Sequence, residues 1–114
     1  MRLLYKILSL TDWQAVITSG TYNGSPLDVK DGFIHLSTGL QAKRTAELHF
    51  AGQNDLVLVA LDEAKLATKL KWEPSRGGDL FPHIYGTFAP RDAHWALPLP
   101  LKNGVHIFPD EFTA

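Results

Sequence analysis

Two short stretches, "GFIHLST" (Gly32 to Thr38) and "FPHIYG" (Phe81 to Gly86), each set a histidine among residues that prefer to leave water. In an extended chain successive side chains point to opposite faces. Phe33, His35 and Ser37 then share one face of the first stretch, opposite Ile34 and Leu36. His83 and Tyr85 share a face of the second, opposite Ile84. Each stretch so offers an imidazole and a hydroxyl, two residues apart, on the side turned away from the core. Imidazole gives or takes a proton near neutral pH, and a hydroxyl both donates and accepts hydrogen bonds. Glu73 in "KWEPSRGG" adds a carboxylate that, on a strand, faces away from Trp72 and in line with Lys71. Arg76-Gly77-Gly78 behind it can bring a guanidinium and backbone amides up to a phosphate.

Plainer readings compete with each of these. A histidine in apolar company is commonly buried and bonded to backbone, a lone glutamate is commonly solvated, and two glycines commonly make a turn. The repetition of one arrangement on two strands keeps the functional reading open. His35, Glu73 and His83 have the composition of a two-histidine, one-carboxylate metal site, but none of the short ligand spacings that mark one. A metal-dependent hydrolase is therefore the third reading, and no metal is expected. Ser37 lacks a Gly-x-Ser-x-Gly elbow. His49 and His94 read as structural or surface residues, and His106 as solvent-facing.

The elements that would position these groups follow from pattern. Leu3 to Leu10 reads as a strand, with Leu4, Lys6 and Leu8 on one face and Leu3, Tyr5 and Ile7 on the other. Thr11-Asp12-Trp13-Gln14 has capping-box spacing, which predicts a helix to about Thr18 that Gly20 ends. "TYNGSPLDVKDG" carries turn residues almost throughout and reads as an irregular loop. After the strand "FIHLS", Thr38-Gly39-Leu40-Gln41 repeats the capping-box spacing and opens a helix to about Phe50. "DLVLVALD" is a continuous apolar run, as in a strand buried on both faces. "EAKLATKL" holds a helical turn, and "LKW" a short strand that Pro74 stops. Trp95 to Leu101 reads as an edge strand, since Pro98 and Pro100 place their missing donors on one side. Asn103-Gly104 is a hairpin signal, with "VHIF" returning. Helices and strands do not alternate regularly, so the fold class is α+β.

The chain has 114 residues, enough for one domain, with residues 109–114 expected as a frayed tail. Eleven basic against twelve acidic residues give a net charge of −1, which supplies no global field for nucleic acid or an anionic membrane. Lys65, Lys69, Lys71 and Arg76 leave room for a local basic patch. Absence of cysteine removes disulfides, thiolate nucleophiles and thiolate zinc sites. "MRLLYKILSL" is interrupted by Lys6 and lacks a small-residue cleavage site, and no segment approaches a membrane span, so a cytoplasmic protein is expected. The proline-blunted edge favours a monomer.

Three ordered motifs, "DGFIHLST", "FAGQNDLVLVALD" and "KWEPSRGGDLFPHIYG", resemble the bacterial family called domain of unknown function 952, from about Tyr5 to Leu101. The resemblance implies an ADP-ribosyltransferase-like fold: a split, mainly antiparallel sheet with two or three helices around a nicotinamide-dinucleotide cleft. One branch of that superfamily uses a histidine-x-Ser/Thr strand, a tyrosine and a glutamate. His35-Leu36-Ser37 matches the first element, with leucine where glycine is common. Glu73 and Tyr85 match the others by type, in reversed order. The resemblance thus implies NAD or a related nucleotide as ligand and cleavage of the nicotinamide–ribose bond, with Glu73 and His35 catalytic. Ser37, His83, Tyr85 and Arg76 would bind the ligand, His35 and His83 lining one cleft. The alternative is a non-catalytic nucleotide-, metabolite- or protein-binding module on the same fold.

Overall fold

The computed structural model describes all residues from Met1 to Ala114. The first strand, β1 (Leu3–Ser9), runs directly into helix α1 (Leu10–Ser19). Its N-cap is Ser9, whose side chain accepts from the Asp12 amide, rather than the expected Thr11. Both residues begin a cap-like spacing, but the strand ends at Ser9 and the earlier hydroxyl meets the first free amides. Gly20 ends the helix in the left-handed conformation, as expected.

The turn-rich stretch that follows is not all loop. It contains a fourth helix beyond the two or three expected, α2 (Pro26–Asp31). Ser25 accepts from the Asp28 amide, Asp28 accepts from the Ser25 amide, and Pro26 is pre-set for a first helical turn. Gly32, at φ +88°, closes it and turns the chain into the histidine strand.

That strand, β2 (Ile34–His35), is shorter than expected. Leu36 continues to pair, donating to the Pro82 carbonyl, and Ser37 then crosses to pair with Tyr5. Helix α3 (Gly39–His49) begins where predicted, with the Gln41 side chain accepting from the Thr38 amide at 3.0 Å. Next come β3 (Leu56–Asp62), the short helix α4 (Glu63–Leu66) with a 3-10 turn, β4 (Leu70–Pro74), β5 (Leu80–Ile84) and β6 (Ala93–Leu99). The hairpin β7 (Leu101–Lys102) and β8 (Val105–His106) turns at Asn103 and Gly104, both at positive φ.

Two antiparallel three-stranded sheets result, in the orders β1-β3-β6 and β2-β5-β4. The Tyr5–Ser37 bridge joins them, so the arrangement is a split sheet in an α+β domain. β3 is central, and Leu58, Val59, Ala60 and Leu61 are fully buried. Each leucine or valine side chain among them contributes about 1.5–3 kcal/mol on burial. One face of the first sheet packs on Trp13 and Val16 of α1 and on Ile34, Leu36 and Ile84 of the second sheet. The other face packs on Ala42 and Ala46 of α3.

The last residues, expected to fray, are docked. Phe112 lies 4.9 Å from the Tyr5 ring, and the Tyr5 hydroxyl donates to the Thr113 carbonyl. His106, expected to face solvent, bonds through Nε2 to the Gln53 carbonyl at 2.9 Å. No helix is long and apolar enough to cross a membrane.

Candidate functional site

Because Ile34, Leu36 and Ile84 all enter the core, the opposite parity of the second sheet is left for other work. His35 pairs with His83 across the β2–β5 ladder, and His83 with Lys71 across β5–β4. The two imidazoles lie side by side, 5.4 Å between centroids. Phe33 stacks on His83 at 4.1 Å and leans on His35 at 4.7 Å. Four aromatic rings, with Tyr85 the fourth, so cover this face.

His35 is fixed by α2. Its Nδ1 lies 2.6 Å from Asp28 Oδ1, and its Nε2 lies 3.0 Å from Asp31 Oδ2. A carboxylate only accepts, so both ring nitrogens of His35 face acceptors. Asp28 is the hub. Its side chain is 2% exposed and also accepts from Lys6 Nζ at 2.9 Å, the His35 amide at 3.1 Å and the Ser25 amide at 2.9 Å. Burial alone would raise its pKa. The Lys6 charge and the bonds from His35, Ser25 and Lys6 outweigh burial and bring it to about 2. Burial also pushes the Lys6 ammonium down, against the pull of Asp28, and raises the Tyr22 phenol beside the same carboxylate. Lys6, which interrupts an apolar strand in the sequence, is thus the buried counter-ion of this hub.

A second cluster forms on β4 and β5. Glu73 Oε1 accepts from His83 Nδ1 and from the Tyr85 hydroxyl, each at 2.8 Å. These two bonds hold the Glu73 carboxyl below the usual carboxylate range, and the same bond raises the Tyr85 phenol. The His83 side chain is 4% exposed and its Nε2 has no hydrogen-bond partner. A third cluster joins the strand to α3: Ser37 Oγ lies 2.8 Å from Thr45 Oγ1, which accepts from Arg76 at 3.3 Å.

A cleft of about 430 Å³ opens beside these groups. Lys6, Asp28, His35, Ser37, Thr45 and Arg76 line it, with Phe81 on the β5 side. His83, Glu73 and Tyr85 do not. This corrects the expectation that His35 and His83 line one cleft: they touch, but Phe33 covers His83 and only His35 reaches the opening. The composition of a metal site also fails to become geometry. Glu73 and His83 bond each other while His35 turns to Asp28 and Asp31, and no group of three such side chains converges as ligands would.

Residues 7–96 match the family described as Protein of unknown function (DUF952). The chain belongs to the DUF952 family. The matched span contains every candidate residue from His35 to Tyr85. The crystal structure of protein CC0527 from Caulobacter crescentus is 45% identical, with a TM-score of 0.88 over 92% of this chain and 93% of that one. Its solution NMR structure is 46% identical, with a TM-score of 0.83 over 92% and 91%. No curated protein matches the chain.

Within this DUF952 domain, sequence reasoning found His35, Ser37, Arg76, His83, Tyr85 and Glu73. It missed Asp28, Asp31, Lys6 and Thr45, which hold them. The available signal for Asp28 was Ser25-Pro26-x-Asp28, an N-cap with a proline at the first helical position and an acid at the third.

Proposed function

We propose that this DUF952 protein binds NAD or a related nucleotide in the cleft beside His35 and Ser37, and acts on its nicotinamide–ribose bond. The observation that carries the reading is the pair itself. Two residues apart on one face of a split sheet, His35 and Ser37 both open on a cleft whose volume falls in the range of small-molecule sites. The resemblance to the ADP-ribosyltransferase fold supplies the ligand class. His35 is pre-oriented by Asp28, and Asp31, whose side chain is 37% exposed, is the partner that a ribose hydroxyl can displace.

The chemistry is coherent with a carboxylate nearby. Breaking the bond sends its electron pair to the nicotinamide nitrogen and leaves an oxocarbenium-like ribose, as in glycoside hydrolysis. Water or another nucleophile then bonds to the ribose carbon and loses its proton to solvent. An ionised, pre-oriented carboxylate stabilises such a cation. Glu73, held ionised by His83 and Tyr85, has the right charge and lies cross-strand from Phe81 of the cleft wall.

A second reading, binding without cleavage, is favoured by one observation: Glu73 does not line the cleft, and one of its oxygens is already taken by two donors. Calorimetric titration with NAD, paired with an assay for released nicotinamide, separates the readings. Binding with release supports the enzyme, binding alone supports the module, and absence of both removes the nucleotide proposal.

A further inference from the structure

The charges lining the cleft are unevenly matched. Lys6 is held by Asp28, and His35 by Asp28 and Asp31. Asp12 lines the same space and forms no ion pair, and neither does Arg76. Its position is nonetheless fixed. The guanidinium carbon lies 4.8 Å from the centroid of Phe81, and one N–H reaches Thr45 Oγ1 at 3.3 Å. A guanidinium carries five N–H donors. Only the one to Thr45 meets a protein acceptor.

Two hydroxyls complete the wall. Thr45 Oγ1 donates to the Gln41 carbonyl at 3.1 Å and accepts from Ser37 Oγ at 2.8 Å. Ser37 is 5% exposed, so that hydroxyl is held rather than free to rotate into solvent. Both hydroxyl protons are thus spent within the wall, and the pair serves to position the guanidinium, which stands over an aromatic ring with most of its donors free for an oxyanion with several acceptor oxygens. Arginine suits phosphate because its fork can present two parallel donors.

We propose that Arg76, positioned by Phe81 and by the Thr45–Ser37 hydroxyl pair, forms an anion subsite that takes a phosphate group of the molecule bound in this cleft. This deepens the nucleotide reading given above by assigning the phosphorylated end of the ligand to the Arg76 wall. The same chemistry would admit a phosphate of a nucleotide or free inorganic phosphate, and the test separates the two.

The experiment compares ligands that differ by one phosphate: nicotinamide mononucleotide against nicotinamide riboside, and adenosine monophosphate against adenosine. Inorganic phosphate and NAD are titrated alongside, all by calorimetry at low, fixed ionic strength. The subsite predicts that each monophosphate binds about 10- to 100-fold more tightly than its nucleoside, the range of one or two charge-assisted hydrogen bonds. Arg76→Gln removes that difference, leaves nucleoside affinity unchanged and shifts the unfolding midpoint little, while Arg76→Lys restores only part of it. Equal affinity within each pair, a difference that survives Arg76→Gln, or no binding of any phosphate-bearing probe would overturn the subsite. Phosphate probes that bind through Arg76 while NAD does not would uphold the subsite and remove the NAD reading. NAD binding that ignores Arg76→Gln would do the reverse. Inorganic phosphate binding as tightly as the monophosphates assigns the subsite to the free anion, and weaker binding assigns it to the nucleotide.

Discussion

Glu73 and His35 divide the proposed chemistry between a charge and a contact, and single substitutions separate the two. Glu73→Gln keeps the shape and one acceptor oxygen while removing the negative charge. If the carboxylate acts on a developing cation, turnover falls while nucleotide affinity stays nearly constant. His35→Ala weakens binding itself, because a ribose contact is present before and during reaction alike. It also takes one donor, the ring Nδ1, from buried Asp28 while the backbone amide of residue 35 stays, with a stability cost of about 1–3 kcal/mol. Affinity, nicotinamide release and urea midpoint on both variants check this. Unchanged turnover in Glu73→Gln beside measurable release in the native protein would remove Glu73 from the reaction. The partners of these residues were less legible than the residues themselves. His35 announces itself because an imidazole in an apolar run is conspicuous. Asp28 does not, because an aspartate among glycine, serine and proline reads as a turn residue until the fold supplies Lys6 and His35 around it.

At the scale of elements, α2 is the piece on which the site depends. It carries both Asp28 and Asp31, and the hub ties it to β1 through Lys6 and to β2 through His35. Ser25→Ala removes one half of its capping box and should cost about 1 kcal/mol, read as a lowered urea midpoint. The hub also makes a prediction about acid. Asp28 titrates at about 2 when folded against 3.8 ordinarily. A folded pKa below the unfolded one contributes stability that is present above pH 4 and lost as pH falls toward 2. The contribution is about 2 kcal/mol. Asp28→Asn should therefore cost about 3 kcal/mol at pH 7, where it strands Lys6 without a counter-ion, and flatten the slope between pH 4 and 2. Unfolding curves at several pH values would show an unchanged slope if the hub were unimportant. Strand parity was readable from the sequence here, since Ile34, Leu36, Trp72 and Ile84 alternate with their polar neighbours. A six-residue helix was not, because it is too short to show a 3.6-residue period and most of it lies on the surface.

For the molecule as a whole, two half-sheets meet through the single Tyr5–Ser37 bridge, and the C-terminal segment packs where they join. Phe112 contacts Tyr5 and lies 4.7 Å from Phe108, and the Thr113 carbonyl accepts from the Tyr5 hydroxyl. The tail was unreadable in the sequence because Pro109-Asp110-Glu111 looks solvated and two phenylalanines without a periodic partner predict no element. Phe112→Ala should cost about 1–2 kcal/mol, since the ring is only partly buried, and the same substitution should loosen the segment that holds Ser37 beside the cleft. Hydrogen exchange at the Tyr5 and Ser37 amides, which bond each other's carbonyls at 2.8 and 2.9 Å, reports this directly. Exchange there that matches the native rate would show the tail to be an appendage.

The central claim is that a nucleotide occupies the cleft beside His35 and Ser37. Titrating NAD into isotopically labelled protein and following every backbone amide by NMR tests it without assuming catalysis. Saturable shifts that cluster on Lys6, Asp28, His35, Ser37, Thr45 and Arg76 are the predicted result. No shift at millimolar NAD, or shifts confined to the remote surface around Arg2 and Trp72, would contradict it.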